Sequence, residues 1–504
     1  MWYLYLILAY FLILLIFNFL RAKKVKSQED FMVAGRSLNV YVMVFTLICT
    51  WIGSGTFIAG AEYAAKAGWS SLWLPAGAWV GILIIYFLAA KIRTFGQYTI
   101  GDILEVRYGS FARIFGAIAL IISFTAIVSY QFRAGGYILN VITDGKVSVG
   151  EGQFLAALFV VIFTAAAGML AVAYTDLPNG IIILLSTILA TPFVMAAAGG
   201  WEHIRKVLPP ENFTIINSQF GAHPLLKAGS YFLATLLLLL GVQSMYQKFY
   251  SAKTPKDAKK AVSLWIIGTV VVETVVIVIA VFASAKFWDK IQLFNSSGGK
   301  EGIDPASIIL VAAKTMVPPV IGVLLLGAAT AVVISTGMNY LLSPTTNIMR
   351  DIYQKFINPN ASQKKMVLLQ KAWVIILGII AYLLATKMTS VLEMSYFAYT
   401  IYGVAITPAL IAALAWKRAT KAGGLASIIT GTVVAIFLKA SGYIWPSIMR
   451  PINNPNGDPW GIPIIYPAAI LSILALVVVS YLTPPPSEEE IKPLFGDIKN
   501  KKEG

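Results

Sequence analysis

The sequence predicts an all-α membrane protein with thirteen transmembrane helices. Three observations lead there. Of the 504 residues, 58% are hydrophobic and only 12% charged, about half the charge of a soluble domain. Uncharged runs of about 20 residues, the length that crosses a bilayer, recur from end to end. Lys and Arg collect in alternate connections between these runs, the pattern that orients a membrane protein.

Taken in order, the spans fall at 2–20, 39–62, 70–91, 112–138, 152–173, 176–199, 228–247, 262–286, 318–343, 368–386, 391–416, 422–441 and 461–482. The first lacks a basic leader and a small-residue cleavage site, and basic residues follow it, so it reads as a retained span. With the N-terminus outside, the inside segments are 21–38, 92–113, a short turn near 174, 248–261, 350–371, 417–421 and the tail after 483. These and the adjoining helix ends hold 26 of the 39 Lys and Arg. The expectation is a multi-pass protein of the plasma (cytoplasmic) membrane, in contact with lipid, with an internal C-terminus. Outside, the stretch DPASIILVAAKTM predicts a short helix lying at the surface. The tail TPPPSEEEIKPLFGDIKNKKEG reads as a polar extension, and no soluble domain is expected after the last span.

Several classes are excluded. The single cysteine, Cys49, rules out an intrachain disulfide. His203 and His223 share one connection, which argues against a His/Cys metal cluster. There is no P-loop, GxGxxG, HExxH or GxSxG, and nothing marks an enzyme. The net charge of +16 is explained by the inside loops and needs no nucleic acid.

Polar groups inside spans are functional candidates. The second span reads TWIGSGTFIAG over residues 50–60 and carries Gly53-Ser54-Gly55 at its centre. Each glycine costs about 1 kcal/mol in a helix interior, and a break frees carbonyls that no membrane water satisfies. The ninth span carries the adjacent hydroxyls Ser335 and Thr336. These either bond back to their own helix or join the freed carbonyls in an all-oxygen shell of the kind a small hard cation takes, about five or six ligands. Asp176, in AVAYTD, either caps a helix or binds an ion. Arg133, in SYQFRAGGY, either snorkels to the interface or faces a cavity, where its fork would favour a carboxylate-bearing solute. Glu273 is the most isolated carboxylate: it is Arg133's partner, or it sits protonated on a helix face.

The chain resembles the sodium:solute symporter family along nearly its whole length. The resemblance rests on EDFMVAGRSL, TWIGSGTFIAG, AVAYTD, YQKFYSAKTPKDAKKA, GAATAVVISTGMNYLLSPTTNIMRDIY and YTIYGVAITPALIAALAWKRATKAGGLAS. It implies a LeuT-type five-plus-five inverted repeat with flanking helices. The divisions are then 1–38 (first helix and loop), 39–200 (first repeat), 201–225 (extracellular loop), 226–416 (second repeat), 417–483 (two C-terminal helices) and 484–504 (cytoplasmic tail). It implies a sodium site of the Cys49, Ile52 and Val332 carbonyls with the Ser335 and Thr336 hydroxyls. A second sodium in some relatives uses the Asp of AVxxTD and later serines; Met338 and Asn339 depart from that pattern and weaken the case for one at Asp176. Substrate candidates are Trp51, Gly53 and Thr56, with Tyr130, Gln131, Arg133 and Gln243. The function implied is sodium-coupled import of a small polar solute, carboxylate-bearing if Arg133 faces the cavity. The rivals are proton coupling through Asp176 or Glu273, a passive channel, and a transporter-like sensor. The solute and the oligomeric state are left open.

Overall fold

The computed structural model describes residues 3–6, 8–10, 12, 13, 16, 27–387, 390–449 and 458–496, with the backbone alone at 28, 31, 167–172 and 443. Most of the expected first span, 2–20, and the residues after 496 lie outside this set. Eleven helices among the described residues are long and apolar enough to cross a membrane, and no strand occurs among them beyond one isolated bridge, Leu38 to Ala252.

In chain order the helices are α1 (Gln28–Val33), α2 (Val40–Trp51), α3 (Ala61–Ala67), α4 (Trp73–Phe95), α5 (Ile100–Tyr108), α6 (Ser110–Ile142), α7 (Val149–Ala197), α8 (Gly200–Val207), α9 (Pro224–Gly241), α10 (Gln243–Ser251), α11 (Pro255–Lys286), α12 (Trp288–Ser296), α13 (Ile308–Thr315), α14 (Pro319–Asn347), α15 (Gln363–Ala385), α16 (Val391–Ala415), α17 (Lys421–Ile444), α18 (Ile465–Leu482) and α19 (Glu488–Phe495). Starts follow local chemistry: Asn39, Ser148, Thr254, Ser362, Ser390 and Thr420 each accept a backbone N–H of their helix, as N-caps do.

Two expected spans are broken. The 39–62 stretch leaves α2 at Ile52, whose ψ of 97° is extended, and resumes as a wider turn over Gly55–Gly60. The 228–247 stretch breaks at Val242 (φ −67°, ψ 116°), between α9 and α10. α14 and α16 are the most enclosed spans; α14 packs along α6 and α7, while α2 packs on α7 and α11. This brings the first break against the middle of α14.

The helical backbone is continuous over Val149–Ala197 and holds two candidate spans, Val149–Ala166 and Ala173–Ala197, where the sequence placed two spans joined near 174. Two expectations are corrected. The DPASIILVAAKTM helix is short but not superficial: Ile308, Ile309, Leu310, Ala312 and Ala313 are buried. Part of the tail is docked rather than extended. Ser487 caps α19, Leu494 is buried, and the Phe495 ring has Lys91 Nζ 4.0 Å from its centroid.

Candidate functional site

At the first break the extended ψ of Ile52 turns two carbonyls toward α14. Thr336 Oγ1 lies 2.9 Å from Cys49 O and 3.4 Å from Ile52 O, donating to this pair. The freed N–H of Ser54 goes to Gln131 Oε1 at 3.1 Å. The glycine is there for space. A Cβ on Gly53 would stand 2.8 Å from Thr336 Cγ2, 2.9 Å from its Oγ1 and 3.1 Å from Gln131 Nε2. Gly55 likewise admits the Tyr399 hydroxyl, 2.2 Å from where its Cβ would be.

Ser335, one residue earlier, faces elsewhere. Its hydroxyl donates to Asp176 Oδ1. Asp176 is fully buried and also accepts from Thr46 Oγ1 at 2.5 Å and Asn339 Nδ2 at 3.4 Å. It is not a cap: it lies inside α7, whose cap is Ser148. The Lys248 ammonium, on α10, donates to Asn339 Oδ1 and lies within Coulombic range of Asp176. Ser335 therefore sits at a charged corner and Thr336 at a neutral one, where the sequence suggested a single shell free of carboxylate.

Beside the break is a narrow cavity with ≈ 380 Å³ of empty space, of which ≈ 20 Å³ admits the centre of a water molecule. Its lining includes Trp51, Gly55, Thr56, Glu273, Ile277 and Tyr399. Tyr130 stands behind, its hydroxyl 3.1 Å from that of Tyr399. Glu273 does not pair with Arg133. It receives Trp51 Nε1 at 3.0 Å, Thr56 Oγ1 at 3.3 Å and Trp79 Nε1 at 2.7 Å.

Of the substrate candidates, Trp51 and Thr56 line this cavity; Gly53 and Gln131 lie at the break against Thr336 and Ser54, and Tyr130 contacts the cavity only through Tyr399. Arg133 and Gln243 are elsewhere. Arg133 borders a separate cavity, with Tyr137, Asn140, Phe294 and Asp304, at the face opposite the basic loops, its guanidinium 5.4 Å from the Tyr137 ring centroid. Gln243 belongs to a buried network toward the basic loops. It exchanges hydrogen bonds with Asn347 (2.5 and 3.0 Å), and Asn347 donates to Asp351 at 2.5 Å. Asp351 pairs with Arg113 at 2.5 Å, which also holds Asp102 at 2.7 Å and Glu105 at 2.5 Å.

The reading from sequence missed Trp79, Tyr399, Thr46 and Lys248. Only Lys248 left a signal: it precedes the basic run KTPKDAKK but sits in YQKFYS, all of which is buried.

A profile of the sodium:solute symporter family matches residues 31–431. The chain is 27% identical over 504 residues to the osmoregulated proline transporter OpuE of Bacillus subtilis (strain 168), covering 97% of this chain and 96% of that one. It is 24% identical over 511 residues to the sodium/proline symporter of Staphylococcus aureus, covering 96% and 94%. Its fold is similar to that of a Na+-coupled sialic acid symporter solved in a substrate-bound outward-open state, with a TM-score of 0.76 at 16% identity over 96% of this chain and 99% of that one. It is also similar to Mhp1, a nucleobase-cation-symport-1 family transporter, with a TM-score of 0.57 at 14% identity over 92% and 97%. The curated relatives are transporters rather than enzymes, as the absence of catalytic motifs suggested. With a family profile matched across most of its length, the chain belongs to the sodium:solute symporter family.

Proposed function

We propose that the protein imports a small polar solute by alternating access, coupled to sodium entering at the first helix break. The observation that carries this is the meeting of Thr336 Oγ1 with the Cys49 and Ile52 carbonyls. These are neutral oxygens from two separate spans, the donor set that sodium takes. The Val332 carbonyl, one turn before Thr336 on α14, extends the shell. Ser335 joins it when its hydroxyl leaves Asp176. The solute occupies the cavity of Trp51, Thr56 and Tyr399, beside the ion, as in transporters built on discontinuous helices. The breaks at Ile52 and Val242 support a five-plus-five repeat over 39–200 and 226–416, each half opening with one broken helix.

The coupling is to one sodium. Lys248 already supplies a positive charge beside Asp176, so that corner needs no second ion. One sodium moving through 100 mV contributes about 2.3 kcal/mol, enough to concentrate a neutral solute roughly fifty-fold before the ion gradient adds its share. Arg133 lies outside the solute cavity, so a carboxylate on the solute is not held by its fork there.

Uptake into proteoliposomes tests this. Labelled L-proline, the solute of the bacterial relatives, and a panel of amino acids, sugars and carboxylates are offered under an inward sodium gradient with a negative interior. Sodium-dependent accumulation above the external level is expected for at least one. Equilibration without accumulation describes a channel, and accumulation driven by a proton gradient in potassium overturns sodium coupling. The bias of basic residues supports a C-terminus inside the cell. Cys49 is buried, so single cysteines introduced at 205–220 should label from outside and those at 253–260 should not; the opposite pattern inverts the topology.

A further inference from the structure

Glu273 is a carboxylate at the middle of α11, 3% exposed, on the wall of the solute cavity. Its partners differ in kind from those of the other buried acids. Oε1 accepts from the Trp51 indole and the Thr56 hydroxyl, and Oε2 accepts from the Trp79 indole. An indole N–H can only donate. Both oxygens therefore present lone pairs, which is what a carboxylate ion does. A protonated acid would have to place its own proton among these donors, with the Thr56 oxygen as its single acceptor.

Yet the charge has no cation. Among the described residues every ion pair lies elsewhere, and the groups acting on Glu273 are two indoles and a hydroxyl. Asp176 has Lys248 nearby, and Asp102, Glu105 and Asp351 share Arg113. Taking a carboxylate out of water is costly unless an opposite charge or full hydrogen bonding offsets it. Three neutral donors offset part. The rest falls to whatever enters the cavity. Trp51 and Tyr399 border the same space, and aromatic faces attract organic cations.

The geometry points to a solute with a positively charged nitrogen, a small aliphatic amine, amino acid or betaine, whose ammonium sits against Glu273 between Trp51 and Tyr399. This names the substrate class of the solute site and rests on the symport reading above. It also sets the cavity apart from one built for sugars, since a neutral solute would bring the buried Glu273 no partner of opposite charge. Selectivity then comes from charge, with the narrow cavity limiting size.

Thermal unfolding of the purified protein, in sodium and in potassium, tests the assignment with six probes. Four carry a cationic nitrogen: L-proline, pyrrolidine, glycine betaine and L-lysine. Two do not: cyclopentanecarboxylate, which is proline without its nitrogen, and D-glucose. Stabilisation in sodium by at least one cationic probe, and by neither of the others, is the expected result. Sodium-dependent stabilisation by cyclopentanecarboxylate or D-glucose overturns the assignment and leaves symport standing. Equal stabilisation by a cationic probe in both salts overturns sodium coupling and leaves the assignment standing. Silence with all six in both salts overturns both. Glu273→Gln keeps size and shape but removes the charge, so the best cationic probe should bind at least tenfold more weakly, while sodium alone still shifts unfolding as in the wild type. Glu273→Asp should recover part of the affinity. Undiminished binding to the Gln variant overturns the assignment; if that variant does not fold, the wild-type panel decides.

Discussion

The two broken helices solve one problem in different ways. At Val242 the loose ends are tied by fixed rings: Tyr402 Oη donates to Gly241 O at 2.5 Å and accepts from Gln243 N at 3.2 Å, and Tyr246 Oη donates to Leu240 O at 2.9 Å. At Ile52 the carbonyls meet only the Thr336 hydroxyl, and Gln131, which takes the Ser54 N–H, keeps an Nε2 with no partner among the described residues. The first arrangement ties two carbonyls and one N–H to buried tyrosine hydroxyls. The second is held by groups that can turn away. A break tied by fixed rings works as a joint; at a break met by a rotatable hydroxyl, that hydroxyl can turn its proton away and offer a lone pair to an ion.

The sharpest strain on this contrast comes from Lys248, which lies beyond the second break and reaches across to Asn339 beside the first, within Coulombic range of Asp176. Lys248→Met leaves the Asp176 carboxylate without its cation, and removing one partner of a buried pair costs about 3–5 kcal/mol. The melting temperature should fall more than for any other variant here, and Asp176→Asn in the same chain should restore part of the loss. A Lys248→Met protein as stable as the parent would show that the two breaks are not electrostatically tied.

Next in size is Tyr402→Phe. It strands two backbone groups at the joint, at about 1–3 kcal/mol for each buried unsatisfied group. Stability should drop while the sodium concentration for half-maximal solute binding stays put. A shift in that concentration would make the second break an ion site too.

Gly53→Ala and Thr336→Ala should do the reverse. The added Cβ displaces Thr336, and the second change removes its hydroxyl; loss of one such interaction, about 1 kcal/mol, predicts a roughly fivefold or greater rise in the sodium requirement with little change in melting. Ser335→Ala, on the charged corner, should move the sodium requirement less than Thr336→Ala. Equal effects would merge the two corners into one shell, and none in either would remove the sodium site.

The smallest effect belongs to Glu105, on the short helix α5 outside the spans. Burial pushes its carboxyl up, but hydrogen bonds and charge from Lys355 and Arg113 outweigh burial and hold it below its ordinary value. A depressed carboxyl stabilises the fold above its unfolded value, about 4.3, and loses that contribution as pH falls through the folded value. Glu105→Gln should cost about 1 kcal/mol or less at neutral pH and flatten the fall in melting temperature below about pH 4.

The sequence by itself determined the solvent, the positions of most spans and the first of the two breaks, while the one at Val242 left no signal in it. Twenty-residue apolar runs have one use, and Gly-Ser-Gly inside such a run marks a break because glycine is costly there. Ser335 and Thr336 stood out for the same reason. Tertiary structure decided where those groups point. Neighbours on a helix are about 100° apart, so two adjacent hydroxyls end at different corners, one neutral and one charged. Gln243 and Arg133 look alike in sequence as polar residues in spans, yet one closes a network with Asn347 and Asp351 while the other borders a distant cavity. Glu273 shows the limit most plainly: its three partners lie 217, 222 and 194 residues away in the chain. Periodicity and composition act over one or two turns, whereas a carboxylate's partners are chosen by which helices the packing brings alongside.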